Sequence, residues 1–145
     1  FKKAGLAPKR RRFEMKLEAG DSPKPGDLIT VSMFEKVAFV DVSAYSKGKG
    51  FQGVVRRHGM RGGPITHGGH SKRRIGSIGC RELPGRIHKN KRMPGQMGNT
   101  RITQQNLQIV KVMPEDNVLL VRGAVAGSAG GIVLVRKSVK KGAKE

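Results

Sequence analysis

The chain has 145 residues, a length that favours one domain, and carries 30 Lys and Arg against 10 Asp and Glu, a formal charge of +20. Such an excess repels itself in a free globular domain, and its natural counterpart is a polyanion: nucleic acid first, an anionic membrane surface a distant second. One cysteine, Cys80, excludes an internal disulfide framework and fits a reducing compartment, and no apolar run approaches the roughly 18 to 20 residues of a membrane span. Five Phe, one Tyr and no Trp are few for a protein that stacks single-stranded bases on aromatic platforms, so the expected recognition is of phosphate, sugar and shape.

The start, FKKAGLAPKRRRFEMKLEAG, is basic enough to raise a transit peptide or a nuclear signal. Pro8 and two early glycines spoil an amphipathic helix there, and the missing initiator Met points to a chain without its true N-terminus. Lys9–Arg12 divides evenly between a solvated face, with Glu14 and Glu18 nearby, and a phosphate contact. Pro25-Gly26-Asp27 signals a turn, after which Ile29, Val31 and Met33 alternate with Thr30 and Ser32 as in a half-buried strand. A second strand follows in KVAFVDVSA, with Ala38, Val40 and Val42 on one face.

Charge then concentrates. Residues 1–45 hold nine basic and six acidic residues, 46–101 fourteen basic and one acidic (Glu82), and 102–145 seven basic and three acidic. Thirteen of the 21 glycines and all four histidines lie in the middle segment, which shows neither helical nor strand period. A long irregular loop belongs in a compact domain only if it is functional or disordered alone. This one cannot bury apolar surface of its own, but it can fold against RNA, with cations on phosphates and glycines where the backbone must come close.

Four motifs in this segment compete for meaning. Gly48-x-Gly50-x-x-Gly53 has the spacing of a dinucleotide fingerprint, which requires a helix directly after it and an acid about 20 residues on. The sequence VVRRHGMRGGPITHGGH forbids a sustained helix, and Arg73 stands where the acid belongs. His67, His70, Cys80 and His88 lack the two close pairs of common zinc sites. A Cys80 nucleophile would have only Glu82 as an orienting acid. Finally, KRMPGQMGNT places Gln96 between the turn dipeptides Pro94-Gly95 and Gly98-Asn99, an uncharged amide suited to the tip of an extension inside crowded RNA. No cofactor, metal or catalytic residue is expected.

Beyond the segment, NLQIVKV and NVLLVRGAV flank Pro114-Glu115-Asp116-Asn117, the clearest hairpin in the chain. A Gly-rich connection leads to a last strand, Ile132–Val135, and the tail KSVKKGAKE reads as frayed. Short strands with turn signals predict a mainly β fold, a small antiparallel barrel built from residues 1–45 and 102–145 with 46–101 inserted as an extension. Its candidate core is Leu28, Ile29, Val31, Phe39, Val40, Val42, Leu107, Ile109, Val110, Leu119, Leu120, Val121, Ile132, Leu134 and Val135. The predicted RNA contacts are Lys47, Lys49, Arg56, Arg57, His58, Arg61, His67, His70, Lys72, Arg73, Arg74, Arg86, Lys89, Lys91, Arg92 and Arg101, with Gly62, Gly63, Gly68 and Gly69 permitting close approach. A free-standing RNA or DNA chaperone is the alternative binding module.

The chain resembles the large-subunit ribosomal protein L-three family in its bacterial form. The resemblance is carried, in order, by FKKAGLAPKR, DVSAYSKGKGFQGVVRRHGMRGGPITHG, IGSIG, PGRIHKNKRMPGQMGNTRITQQNLQIVKV and NVLLVRGAVAGSAGGIVLVRK. It implies a translation-protein-type β-barrel on the subunit surface and an extension through ribosomal RNA toward the peptidyl-transferase centre. It further implies direct RNA binding, early action in assembly, contact with neighbouring ribosomal proteins, and a cytoplasmic, ribosomal location without a membrane. In many bacterial members the glutamine of the GQMGN turn, Gln96 here, is N5-methylated, which adds a glutamine methyltransferase as a partner. Family members carry a further β-rich stretch ahead of FKKAG, so the resemblance implies a fragment. They usually have another histidine and a proline near GGHSKRRIGSIG, where this chain has Lys72, Arg73 and Ile75.

Overall fold

A computed structural model of the chain describes residues 2, 5–15, 17 and 22–141. Parts of the basic start, Glu18 among them, and the last four residues of the tail lie outside the described residues.

The sheet is organised around β1, Phe39–Tyr45, whose alternating Val40, Val42 and Ala44 give it one apolar face. The other long strand, Arg101–Met113, is joined by a tight turn to Val118–Arg122, and Val133–Lys137 returns along the far side. Two two-residue strands, Phe51–Gln52 (β2) and Gly95–Gln96 (β3), pair outside this sheet, so the three longer strands are β4, β5 and β6 in chain order. The order across the main sheet is β5-β4-β1-β6, antiparallel throughout.

One face carries the core. Phe34, Val40 and Val42 form its buried centre, and Val37, Leu107, Ile109, Val112, Leu119, Val121 and Val135 pack against them half-buried. Burial of such side chains stabilises by roughly 1.5–3 kcal/mol each when complete. β1 is also covered on its other face, where Asp41 and Ser43 are buried; Ser43 Oγ lies 2.7 Å from Thr103 Oγ1 of β4.

β4 is bent by two bulges. Val40 faces Leu107 and Val42 faces Gln104, so Gln105 and Asn106 together oppose Asp41. Asn106 adopts the left-handed φ of 59°, which Asn tolerates better than most residues. The bulge frees its N–H, which donates to Asp41 Oδ1 at 3.0 Å, while Val139 N–H donates to Oδ2 at 3.3 Å. The Arg136 guanidinium lies 3.6 Å from the same carboxylate, and Ser138 Oγ donates to Asn106 Oδ1 at 2.6 Å. Farther along, Ile109 faces Val121 and Lys111 faces Leu120, leaving Val110 as the extra residue.

The hairpin turn falls where the sequence places it: Asn117 N–H donates to Pro114 O at 3.2 Å, with Asn117 at φ 53°. Four expectations need correction. First, the sheet is open: among the described residues β5 and β6 are edges with no closing pair, so no closed barrel forms. Second, the predicted strand through Ile29, Val31 and Met33 is instead irregular chain followed by a one-turn 3-10 helix, Val31–Phe34. That turn inserts Phe34 into the core and is fixed to the hairpin by Val31 N–H donating to Asn117 Oδ1 at 3.0 Å. Third, Leu28, Ile29, Val110, Leu120 and Ile132 of the candidate core are exposed, the first 91 % so; Phe34 and Val54 are buried in addition. Fourth, the last strand begins at Val133 and runs to Lys137.

Candidate nucleic-acid interface

Beyond Tyr45 and Arg101, the last pair of β1 and β4, the two chains continue side by side as a stem. Ser46 N–H donates to Thr100 O at 2.9 Å, Lys49 N–H to Met97 O at 2.9 Å, and Met97 N–H to Gly50 O at 3.0 Å. The β2–β3 pair, Phe51 opposite Gln96 and Gln52 opposite Gly95, closes its outer end. Gly98 has a φ of +72°, and a side chain there would run into the Lys47 carbonyl, so the two strands of the stem meet only over glycine.

A short helix, α1 (Val54–His58), follows Gly53 directly and ends at Gly59 in the left-handed region. The sequence excluded a sustained helix, and a turn and a half is what the intervening residues allow. Its basic end is fastened back to the stem: Arg57 Nη1 donates to Met93 O at 2.7 Å and His58 Nε2 to the same carbonyl at 3.0 Å. Arg57 and His58 are accordingly half-buried, with part of their donor capacity spent inside the protein. Arg56 Nη1 reaches Gln52 Oε1 at 3.2 Å.

From Gly59 to Pro94 the described chain has turns but no helix or strand. Gly63 N–H donates to Lys72 O at 2.8 Å, closing a loop around His67 and His70. A Cβ on Gly63 would stand 2.7 Å from Ser71 Cβ, one on Gly69 2.7 Å from Pro64 O, and one on Gly62 would overlap the Lys72 carbonyl. At these three positions, therefore, the close approach is made by the protein itself, by backbone at Gly62 and Gly69 and by the Ser71 side chain at Gly63; Gly68, at φ +71°, has open space around it. A cavity of about 510 Å3 lies inside this segment, with Arg73, Arg74, Gly62, Gly63 and Gly76 in its wall.

The remaining predicted contacts, Lys47, Lys49, Arg61, His67, His70, Lys72, Arg73, Arg74, Arg86, Lys89, Lys91, Arg92 and Arg101, are exposed. No cation of 46–101 forms an ion pair with a described carboxylate. Among the described residues no three His, Cys, Asp or Glu side chains gather as a metal site would require. Among the described residues no helix is long and apolar enough to cross a membrane. Gln96 is exposed, its Nε2 donating to Met97 O at 3.2 Å. It sits at the outer end of the stem, paired with Phe51, with residues 53–94 lying beyond it in the chain rather than at a free loop tip.

A second basic recess lies at the root of the stem, joining part of the Lys9–Arg12 run to the predicted contacts Lys47 and Arg101, a juxtaposition the sequence does not show. Arg11, Arg12 and Phe13 from the N-terminal run meet Tyr45, Lys47 and Arg101 across a cavity of about 530 Å3, walled on one side by Ala126, Gly127, Ser128 and Gly131. The run RRRF shows its charge in the sequence, but nothing there announces that it returns to the end of β1.

This pairing of a β sheet with a basic, glycine-rich insertion has relatives. The family model described as ribosomal protein L3 matches residues 21–117. The chain belongs to the ribosomal protein L3 family. It is 45 % identical over 141 residues to the large ribosomal subunit protein uL3 of Brachyspira pilosicoli, covering 97 % of this chain and 65 % of that protein. It is 49 % identical over 144 residues to the uL3 protein of Corynebacterium jeikeium, covering 99 % and 66 %. With the uL3 protein of Thermotoga petrophila the identity is 44 % over 138 residues, covering 95 % and 67 %. The chain thus spans about two thirds of the length of these L3 relatives. The L3 family is one of structural ribosomal proteins, not of enzymes.

Proposed function

We propose that the chain is a structural constituent of the large ribosomal subunit that binds large-subunit ribosomal RNA directly, with residues 46–101 as the RNA-penetrating extension and the sheet as its platform. The observation that carries this is the state of the extension's charge. Fourteen cations stand against one carboxylate, none of them is in an ion pair with a described acid, and the segment is rooted in the sheet's two central strands. Such a segment is stable in its charge only beside a polyanion. Membership of the L3 family supports the choice of ribosomal RNA, and with it a cytoplasmic location in the ribosome, contacts with neighbouring large-subunit proteins, early entry into assembly and reach toward the peptidyl-transferase centre. Gln96, exposed at the end of the stem, is accessible to a glutamine methyltransferase. The chain is not an enzyme and needs no cofactor.

Filter binding to protein-free large-subunit RNA over a salt series tests this. About ten engaged cations give a slope of log affinity against log salt of roughly −7 to −9, and a slope shallower than about −2 overturns the proposal. An extension woven into RNA also keeps the chain with large subunits through a moderate salt wash, whereas loose, exchangeable binding releases it.

A further inference from the structure

We propose that the recess at the root of the stem holds one unstacked RNA nucleotide, its base against the rings of Tyr45 and Phe13 and its phosphates on the cations of the rim. The inference rests on the RNA-binding function proposed above and adds a site to it.

The recess has the size and the mixed character of a ligand site. Its volume of about 530 Å3 falls in the range of roughly 300–1,000 Å3 usual for such pockets. Arg11, Arg12, Lys47 and Arg101 supply four positive charges around two aromatic side chains. In a chain with only five Phe and one Tyr, two exposed rings in one cationic recess need a reason. Tyr45 is 65 % exposed and Phe13 64 %, so neither serves the core. Asn99 and Ser128 line the same space and offer an amide and a hydroxyl to the polar edge of a base.

The platform is rigid. Tyr45 ends a strand whose five preceding residues are buried, is paired with Arg101, and is followed at once by the bond from Ser46 N–H to Thr100 O. The opposite wall is docked on it: Gly127, at φ +102°, lies so close that a Cβ would stand 2.9 Å from the Tyr45 carbonyl oxygen. Gly131 N–H donates to Ser128 O at 3.1 Å and closes that wall on itself. Flat apolar rings beside guanidinium groups are how proteins take up splayed RNA bases, whereas a simple phosphate site needs no rings. Four cations disfavour a basic or purely apolar peptide as occupant.

The test uses the full chain and protein-free large-subunit ribosomal RNA as the probe. Tyr45→Leu is expected to weaken binding roughly 5- to 150-fold with an unchanged salt slope, because stacking releases no counterions. Tyr45→Phe keeps the ring and binds as the unchanged chain does. Arg12→Gln lowers the slope by about one. Short-wave ultraviolet irradiation of the complex, followed by mass spectrometry, places a nucleotide adduct on the peptide containing Tyr45 or Phe13. Equal affinity of Tyr45→Leu and the unchanged chain, with the steep salt slope retained and no adduct, overturns the nucleotide recess and leaves the general RNA-binding function standing. A shallow slope for the unchanged chain removes both.

Discussion

Asp41 shows how much one residue organises. Its carboxylate sits in the middle of β1, 1 % exposed, and its pKa is lowered from the ordinary 3.8. The N–H of Asn106 contributes most; burial opposes it, and Val139 N–H, Arg136 and Ser138 add to the lowering. A depressed folded-state pKa means the ionised form is the one the fold prefers. Its contribution is fully present above the unfolded value and is lost as pH falls through the folded one. Urea-unfolding midpoints should therefore hold steady above about pH 5 and decline below about pH 4. Asp41→Asn should cost about 1–3 kcal/mol at neutral pH, through weaker acceptance of two buried N–H groups, and flatten the acid-side decline in the same urea series. None of this is legible in FVDVSAY. The alternation there predicts a polar, outward Asp, and the partners that bury it lie 65 and 98 residues away in the chain.

At the scale of elements, the stem between β1–β4 and the basic segment depends on Gly98. Alanine there would combine a left-handed backbone with a clash against the Lys47 carbonyl. Gly98→Ala should raise amide exchange at Lys49 and Met97, whose N–H groups close the stem, while Val40–Ala44 keep their protection. Equal protection of Lys49 and Met97 in the variant would show that the stem accommodates a side chain. The elements differ in how readable they are for physical reasons. β1 and the β4–β5 hairpin carry local signals, period-two alternation and a Pro-to-Asn turn, and the structure keeps them. Ile29, Val31 and Met33 carry the same alternation but join no sheet among the described residues. A turn anchored by Asn117 and Phe34 takes their place. The two bulges of β4 leave no mark in sequence, because pairing register decides which residue is extra.

Across the whole molecule, order and charge are separated. Buried apolar side chains cluster under β1 and β4, whereas residues 60–94 have few buried groups and almost all of their side chains are exposed. Amide exchange of the free protein should therefore be slowest in β1 and fast through 60–94, with strong protection across the latter counting against an extension that orders on RNA. The sequence made the separation plain through fourteen cations and thirteen glycines in one stretch. It could not reveal that the sheet stays open, because closure depends on which edges meet rather than on any strand's own pattern. The placement of the insertion between the two central strands also bears on how the chain reaches its fold. β4 and β5 are neighbours in sequence and can pair early, but β1 must find β4 across residues 46–100. That search is entropically expensive and makes the central pairing a late, slow event in a free chain. Under the proposed function, RNA that gathered both ends of the insertion would shorten the search, so the nucleic acid would serve the sheet as a template besides occupying the extension.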